Sequence, residues 1–133
     1  MSSRENARSV LIIEDNADQL ELIREQLGSR VRTIGATDGL DGYSLACSER
    51  PSAVILDVVM PVVDGWTVMR KLRSNPITST VPIIVVTGLD PEAIAHEAQR
   101  LGVRFLLRKP YDIEELHTAI DSALSLIAVP RVV

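Results

Sequence analysis

Short apolar runs alternate with amphipathic stretches about five times along the chain. Four runs are short, continuous and apolar, as in strands buried on both faces of a parallel sheet. They cover residues 10–13, 53–56, 81–86 and 105–107. A further stretch, residues 30–34, mixes polar and apolar positions, as an edge strand does. The pattern predicts five strands, the second of them at an edge of the sheet.

Apolar residues spaced three or four positions apart follow each predicted strand and indicate five helices. Asp90-Pro91 and Asp112 predict the starts of the last two helices, and Gly28 and Gly102 predict two helix ends. The residues predicted to form the buried stripes are Leu20, Ile23 and Leu27; Leu40, Tyr43 and Cys47; Val68, Met69 and Leu72; Ile94, Ala98 and Leu101; and Ile113, Leu116, Ile120, Leu124 and Ile127.

Strands alternating with helices define the α/β class, here as a (βα)5 unit. Right-handed crossovers make this a doubly wound parallel sheet with helices on both faces. We expect a polar N-terminal leader at residues 1–8, one domain at 9–128 and a C-terminal tail at 129–133, because Pro130 ends the last helix.

Composition narrows the possible partners and compartment. The net charge is −4 and aromatic residues are 3% of the chain, so neither phosphate contacts nor base stacking favour nucleic-acid binding. No apolar stretch approaches the roughly 18 residues of a membrane span. The polar N-terminus has no signal-peptide core, which predicts a cytoplasmic protein. Cys47 is the only cysteine, so an internal disulfide is impossible.

Polar side chains follow four of the predicted strands. Glu14 and Asp15 follow the first strand, Asp57 the third, Thr87 the fourth and Lys109 the fifth. Each alone has an ordinary structural explanation, namely a polar turn, a hydroxyl-stabilised turn or a surface charge. Ligands of open α/β sheets bind at the carboxyl ends of the strands, so four unrelated coincidences at one edge are hard to accept.

The residue types at this edge suit phosphoryl transfer. Crowded carboxylates repel one another unless a cation enters, and oxygen ligands suit Mg²⁺. A carboxylate beside such a metal can attack phosphorus and become an acyl phosphate. The phosphoryl oxygens then need positive or hydrogen-bonding partners, which Lys109 and Thr87 can provide.

Four motifs occur in order, "IIED" (12–15), "LDVVMPVVDG" (56–65), "VVTG" (85–88) and "RKP" (108–110). With them the sequence resembles a response-regulator receiver domain of two-component signal transduction, of the stand-alone type, over about residues 9–127. The resemblance implies a flavodoxin-like sheet with strand order 2-1-3-4-5. It also implies that Asp57 accepts a phosphoryl group from a phosphohistidine on a histidine kinase or histidine phosphotransfer protein.

The resemblance also implies the remaining roles at the site. Asp15, Asp57 and the backbone carbonyl of Val59 would bind Mg²⁺ directly, and Glu14 would do so through water. Thr87 and Lys109 would contact the phosphoryl group, with a cis Lys109-Pro110 bond. Such a domain is a regulatory phospho-acceptor rather than an enzyme. It assists its own phosphorylation and dephosphorylation and changes its binding to a downstream protein target, and no output domain is visible in the chain.

Two features depart from the family pattern. Leu106 stands where receivers usually carry Tyr or Phe, and Arg104-Phe105 replaces an acidic pair. Strand alternation points Phe105 away from the Leu106 face, so we predict that an exposed Phe105 belongs to an unusual partner surface. Val59 and Leu89 flank the site with apolar side chains, which predicts a long-lived phosphoryl group.

Three competing functions stay open. The chain could be a degenerate receiver that docks without phosphorylation, or a receiver fragment of a hybrid histidine kinase. A remote possibility from another class is a phosphatase of the haloacid-dehalogenase type. Such enzymes also use a strand-end aspartate with Mg²⁺, but they need a second acid at the position of Val59.

Overall fold

The computed structural model describes residues 8–60 and 62–128, and within them strands and α-helices alternate as predicted. The elements are β1 (Ser9–Ile13), α1 (Ala17–Leu27), β2 (Arg32–Ala36), α2 (Gly39–Glu49), β3 (Ala53–Leu56), α3 (Gly65–Ser74), β4 (Ile83–Thr87), α4 (Pro91–Arg100), β5 (Phe105–Arg108) and α5 (Ile113–Ala128). A short 3₁₀ turn, Gly28–Arg30, precedes β2. Residues 1–7 of the predicted leader, the predicted tail and the side chain of Ile127 lie outside the described residues.

All five strands pair in parallel in the order β2-β1-β3-β4-β5, which confirms the predicted fold. The chain reverses its direction of winding between β1 and β3, where open α/β sheets place their ligands. Ile13 of β1 pairs with Leu56 of β3. The residues that follow them, Glu14 and Asp57, therefore leave the sheet side by side.

The sheet has a core on each face. On β1, Val10 and Ile12 pack towards α1 and α5, whereas Leu11 and Ile13 pack towards α2, α3 and α4. All four side chains are fully buried, which explains why β1 is apolar at every one of these positions. Burial of such a side chain is worth about 1.5–3 kcal/mol before entropy is counted.

The predicted buried stripe of α2 is wrong. Leu40 is 59% exposed, and Tyr43 and Cys47 are only partly buried. The residues facing the core are Gly39, Gly42 and Ala46. A Cβ at Gly42 would lie 2.6 Å from Cδ1 of Ile13, so the close approach of this helix to the sheet requires small residues.

Helix ends follow the predicted signals more closely. The Asp90 side chain accepts a hydrogen bond from the Glu92 N–H, and Pro91 begins α4. Gly28 and Gly102 follow α1 and α4 with positive φ. Asp112 precedes α5 as predicted, but the observed side-chain contact runs the other way, from the Asp112 N–H to the Glu115 carboxylate.

Several element boundaries differ from the prediction. Strand β2 begins and ends two residues later than expected, because residues 28–30 form the 3₁₀ turn. Strand β4 begins at Ile83, after Pro82. Ile113 lies in the first turn of α5 and is exposed, while Leu116, Ile120 and Leu124 are buried as predicted.

Candidate functional site

Lys109 connects two of the predicted site acids at the carboxyl edge of the sheet. Its Nζ lies 3.0 Å from Oδ2 of Asp57 and 3.0 Å from Oε1 of Glu14. The three residues follow β5, β3 and β1 respectively. The parallel sheet thus brings together side chains separated by 52 and 95 positions in the sequence.

Both carboxylates are buried, Glu14 at 3% exposure and Asp57 at 8%. Burial raises the pKa of Glu14, while the Asn16 N–H and the Lys109 ammonium act against this rise. For Lys109, burial disfavours the charged form, but hydrogen bonds to Asp57 and Glu14 outweigh it and raise its pKa. The ammonium therefore stays charged and offsets the negative charge of the buried acids.

The backbone orients Asp57 further. Its Oδ1 accepts a hydrogen bond of 3.0 Å from the N–H of Val59, as in an Asx-turn. Its Oδ2 contacts the Lys109 ammonium. Since each oxygen has its own donor, the carboxylate is held in one orientation at the end of β3.

Gly65 allows α3 to begin against this strand end. A Cβ on Gly65 would lie 2.5 Å from the carbonyl oxygen of Asp57, and its N–H donates to the Val58 carbonyl at 3.0 Å. Asp64 caps the helix by accepting from the Thr67 N–H at 2.8 Å. The Asp-Gly pair thus shapes this turn, and the close approach explains why no larger residue fits at Gly65.

Thr87 is buried at the end of β4. Its Oγ1 accepts a hydrogen bond of 3.3 Å from the Leu89 N–H, which is the local turn that the sequence also allows. Its backbone carbonyl accepts from the Lys109 N–H at 2.8 Å, and the Lys109-Pro110 bond is cis. Thr87 and Lys109 are therefore directly linked through the backbone.

The set of donors fits a hard divalent cation in its chemistry. Glu14 and Asp57 supply buried carboxylate oxygens, and Asp15 is exposed beside them in the chain. Oxygen ligands with room for water suit Mg²⁺. Across residues 8–60 and 62–128, however, no three acidic, His or Cys side chains converge as a metal cluster. The carboxylates are held instead by one ammonium.

Arg104, Phe105 and Leu106 line a groove of about 440 Å³ together with residues of α5 such as Glu114 and Thr118. Leu106 packs towards the α2–α4 side of the sheet and Phe105 towards the α1–α5 side, as alternation predicts. The expectation of an exposed Phe105 is wrong, because its ring is partly buried against that core.

Residues 10–121 match the response regulator receiver domain family, and the chain belongs to this family. It is a receiver domain of two-component signal transduction. Receiver domains are regulatory phospho-acceptors that interact with histidine kinases and downstream targets. The resemblance inferred from the four motifs is thereby confirmed.

Curated relatives differ in how much of their length the chain covers. It is 35% identical to PilH of Pseudomonas aeruginosa over 119 residues, spanning 87% of this chain and 97% of that protein. It is 32% identical to the sensor histidine kinase TmoS of Ectopseudomonas mendocina, over 88% of this chain but 12% of that protein. For the response regulator PleD of Caulobacter vibrioides, the identity is 31% over 85% of this chain and 25% of that protein.

Solved structures agree with the fold. The receiver domain of the histidine kinase PA1611 from Pseudomonas aeruginosa, which has a magnesium ion in its active-site cleft, is 26% identical with a TM-score of 0.81. That match covers 90% of this chain and 98% of the other. Vibrio cholerae CheY4, at 24% identity, 89% and 99% coverage and a TM-score of 0.83, shares the fold. In the described part of the chain, none of the helices has the length and apolar character needed to cross a membrane.

Proposed function

We propose that Asp57 is the phospho-acceptor of this receiver, in a Mg²⁺-dependent reaction. The observation that carries the proposal is the position of its carboxylate, buried between the Lys109 ammonium and the Val59 N–H at the switch point of the sheet. The donor is a phosphohistidine on a histidine kinase or a histidine phosphotransfer protein. One of the relatives is a sensor histidine kinase, which supports a role in such a relay.

In the reaction, a carboxylate oxygen of Asp57 attacks phosphorus, the N–P bond of the phosphohistidine breaks, and the imidazole nitrogen takes a proton. The product is an acyl phosphate. Lys109, already 3.0 Å from Oδ2 of Asp57, offsets the negative charge of the phosphoryl oxygens. Asp15, Asp57 and the Val59 carbonyl would hold Mg²⁺, with Glu14 acting through water, and the ion would supply further positive charge there.

Thr87 completes the phosphoryl site with its hydroxyl hydrogen. The hydroxyl oxygen accepts from the Leu89 N–H, which leaves the O–H free to donate to a phosphoryl oxygen, and a movement of the side chain towards that oxygen would carry the Leu89 turn with it. The loop after β4 is exposed at Gly88 and Leu89, so little packing opposes the change. Such a two-state loop biases protein–protein contacts, and the groove beside Arg104, Phe105 and Leu106 is the surface that we assign to the downstream partner.

The test is incubation with acetyl phosphate and Mg²⁺, followed by intact mass measurement. Wild type and Asp64→Asn, which alters a helix cap, should each gain one phosphoryl group, whereas Asp57→Asn should gain none. A gain that persists in Asp57→Asn would place the acceptor elsewhere. Trp66, the only tryptophan of the chain, lies in the first turn of α3 after the loop that follows Asp57, so its fluorescence can report Mg²⁺ binding. No phosphoryl gain in wild type while Mg²⁺ still binds would favour a receiver that docks without phosphorylation.

Of the alternative functions, the phosphatase finds less support in the site, whereas a hybrid-kinase fragment would share it. A haloacid-dehalogenase-type phosphatase needs an acid two residues after the nucleophile, but Val59 is apolar and its side chain is 56% exposed. A receiver fragment of a hybrid histidine kinase would carry the same site. The match to TmoS is consistent with that arrangement and leaves the role of Asp57 unchanged.

A further inference from the structure

Tyr111 lies in the loop that carries Lys109 and connects this loop to α1 through a hydrogen bond. This loop, residues 109–112, connects β5 to α5. The Tyr111 hydroxyl donates a hydrogen bond of 2.7 Å to Oε1 of Gln26, which lies 85 positions away on α1. The Tyr111 ring also packs against the core between the sheet and α1–α5.

Gln26 makes two contacts, one through its side chain with Tyr111 and one through its backbone carbonyl with His117. It lies in the last turn of α1, where backbone carbonyls have no partner within the helix. Its carbonyl oxygen instead lies 2.6 Å from Nε2 of His117 on α5, and since a carbonyl can only accept, this ring nitrogen donates. One residue of α1 therefore holds both the Lys109 loop and the beginning of α5.

Lys109 depends on this anchoring, because its ammonium lies at the end of a flexible four-carbon chain. Within the loop, Pro110 and Asp112 are exposed, so Tyr111 is the neighbour of Lys109 that is fixed in the core. Tyr111 lies two positions after Lys109 in the same short loop, so a shift of its ring moves the segment that carries the ammonium.

We propose that Tyr111 is a positioning residue for Lys109: its hydrogen bond to Gln26 holds the β5–α5 loop where the ammonium reaches both Asp57 and Glu14. The effect on phosphorylation rests on the function proposed above. The effect on the position of the Lys109 ammonium does not depend on that function.

The ammonium can be observed directly, because the chain contains only two lysines, Lys71 and Lys109. In ¹⁵N-lysine-labelled protein, the Lys109 ammonium should exchange slowly with water, since two carboxylates bind it. Tyr111→Phe keeps the ring and should broaden or shift this Lys109 signal. The matched control is Tyr43→Phe, which loses a 2.9 Å hydrogen bond to Asn75 far from Lys109 in the fold and leaves the Lys109 signal unchanged.

Phosphorylation by acetyl phosphate gives the functional readout. Tyr111→Phe should slow it about fivefold, the size expected from one hydrogen bond, whereas Tyr43→Phe should not. Gln26→Met, which keeps the backbone carbonyl for His117, should match Tyr111→Phe. In a Lys109→Met background, Tyr111→Phe should have no further effect, whereas a general loosening would slow both backgrounds equally. Thermal unfolding verifies that each variant is folded.

The inference is overturned if Tyr111→Phe and Gln26→Met leave both the Lys109 signal and the phosphorylation rate as in wild type. It is also overturned if Tyr111→Phe slows phosphorylation by the same factor in the Lys109→Met background as in wild type. If wild type itself takes no phosphoryl group, the proposed function fails, and the Lys109 signal alone decides whether Tyr111 positions the ammonium.

Discussion

Glu14 and Asp57, buried at neighbouring strand ends, share a single ammonium that lies 3.0 Å from an oxygen of each. Their sequence neighbours Ile13 and Leu56 pair directly in the sheet, so the fold itself places the two acids together. Removing a partner from a buried ion pair is costly, because the remaining charge is left uncompensated. Lys109 therefore contributes to stability as well as to the proposed chemistry.

We predict that Lys109→Met lowers the free energy of unfolding by about 2 kcal/mol without Mg²⁺. The loss is smaller than for a fully buried pair because 23% of the Lys109 side chain is exposed. Added Mg²⁺ should restore part of it by replacing the lost positive charge. Urea unfolding measures both effects. Lys71→Met, at an exposed lysine over the Tyr43 ring, is the control and should cost under about 1 kcal/mol. Equal losses in the two variants would contradict the prediction.

The phosphoryl group on Asp57 should be long-lived. Val59 and Leu89 flank the site through their N–H groups, which donate to Asp57 and Thr87, but their side chains cannot orient a water for attack. We expect Val59→Asn to shorten the lifetime, because an amide can hold such a water. Intact mass is followed after acetyl phosphate is removed. A wild-type half-life of seconds in Mg²⁺ would refute this prediction.

Val62 is strained in the loop between β3 and α3. Its φ is +68°, a left-handed conformation that a β-branched residue rarely adopts, and its side chain is fully exposed. Val62→Gly should raise the free energy of unfolding by about 1 kcal/mol, because the relieved strain exceeds the added entropy of the unfolded chain. Urea unfolding measures it. Val59→Gly, at an exposed valine without a positive φ, should instead be destabilising.

The continuous apolar runs in the sequence predicted β1, β3 and β4 because the burial of these strands is uniform. β1 is apolar on both faces, and the alternation of strands with helices predicted a doubly wound parallel sheet. The strand order, which the structure confirms, followed from the resemblance to receiver domains. The spacing of large apolar residues indicated the wrong face of α2. There the helix approaches the sheet through Gly39, Gly42 and Ala46. Because these small residues have low hydrophobicity, a search for large apolar side chains does not identify them as the buried face.

Glu14, Asp57 and Lys109 each follow a predicted strand, and this position predicted that they meet, because parallel strands all present their carboxyl ends at one edge of the sheet. The contact between Tyr111 and Gln26 could not be predicted in this way. A polar side chain on a helix or loop can bond to many distant partners, and neither spacing nor hydropathy selects one. The same holds for Arg73, whose guanidinium donates to the carbonyls of Leu101, Ser79 and Val81.

The Tyr111 hydroxyl should give stability a dependence on alkaline pH. Burial raises its pKa above the ordinary 10.0, and Glu14 adds to the rise while Lys109 opposes it. A pKa raised by folding means that the stabilising contribution is complete below pH 10 and is lost as the pH rises through the folded-state pKa. The difference in unfolding free energy between wild type and Tyr111→Phe, measured by urea at several pH values, should therefore be constant below pH 10 and shrink above it. Both proteins contain the same lysines, whose titration largely cancels in the difference. Parallel stability curves across this range would show that the hydroxyl is not held in its neutral form by the fold.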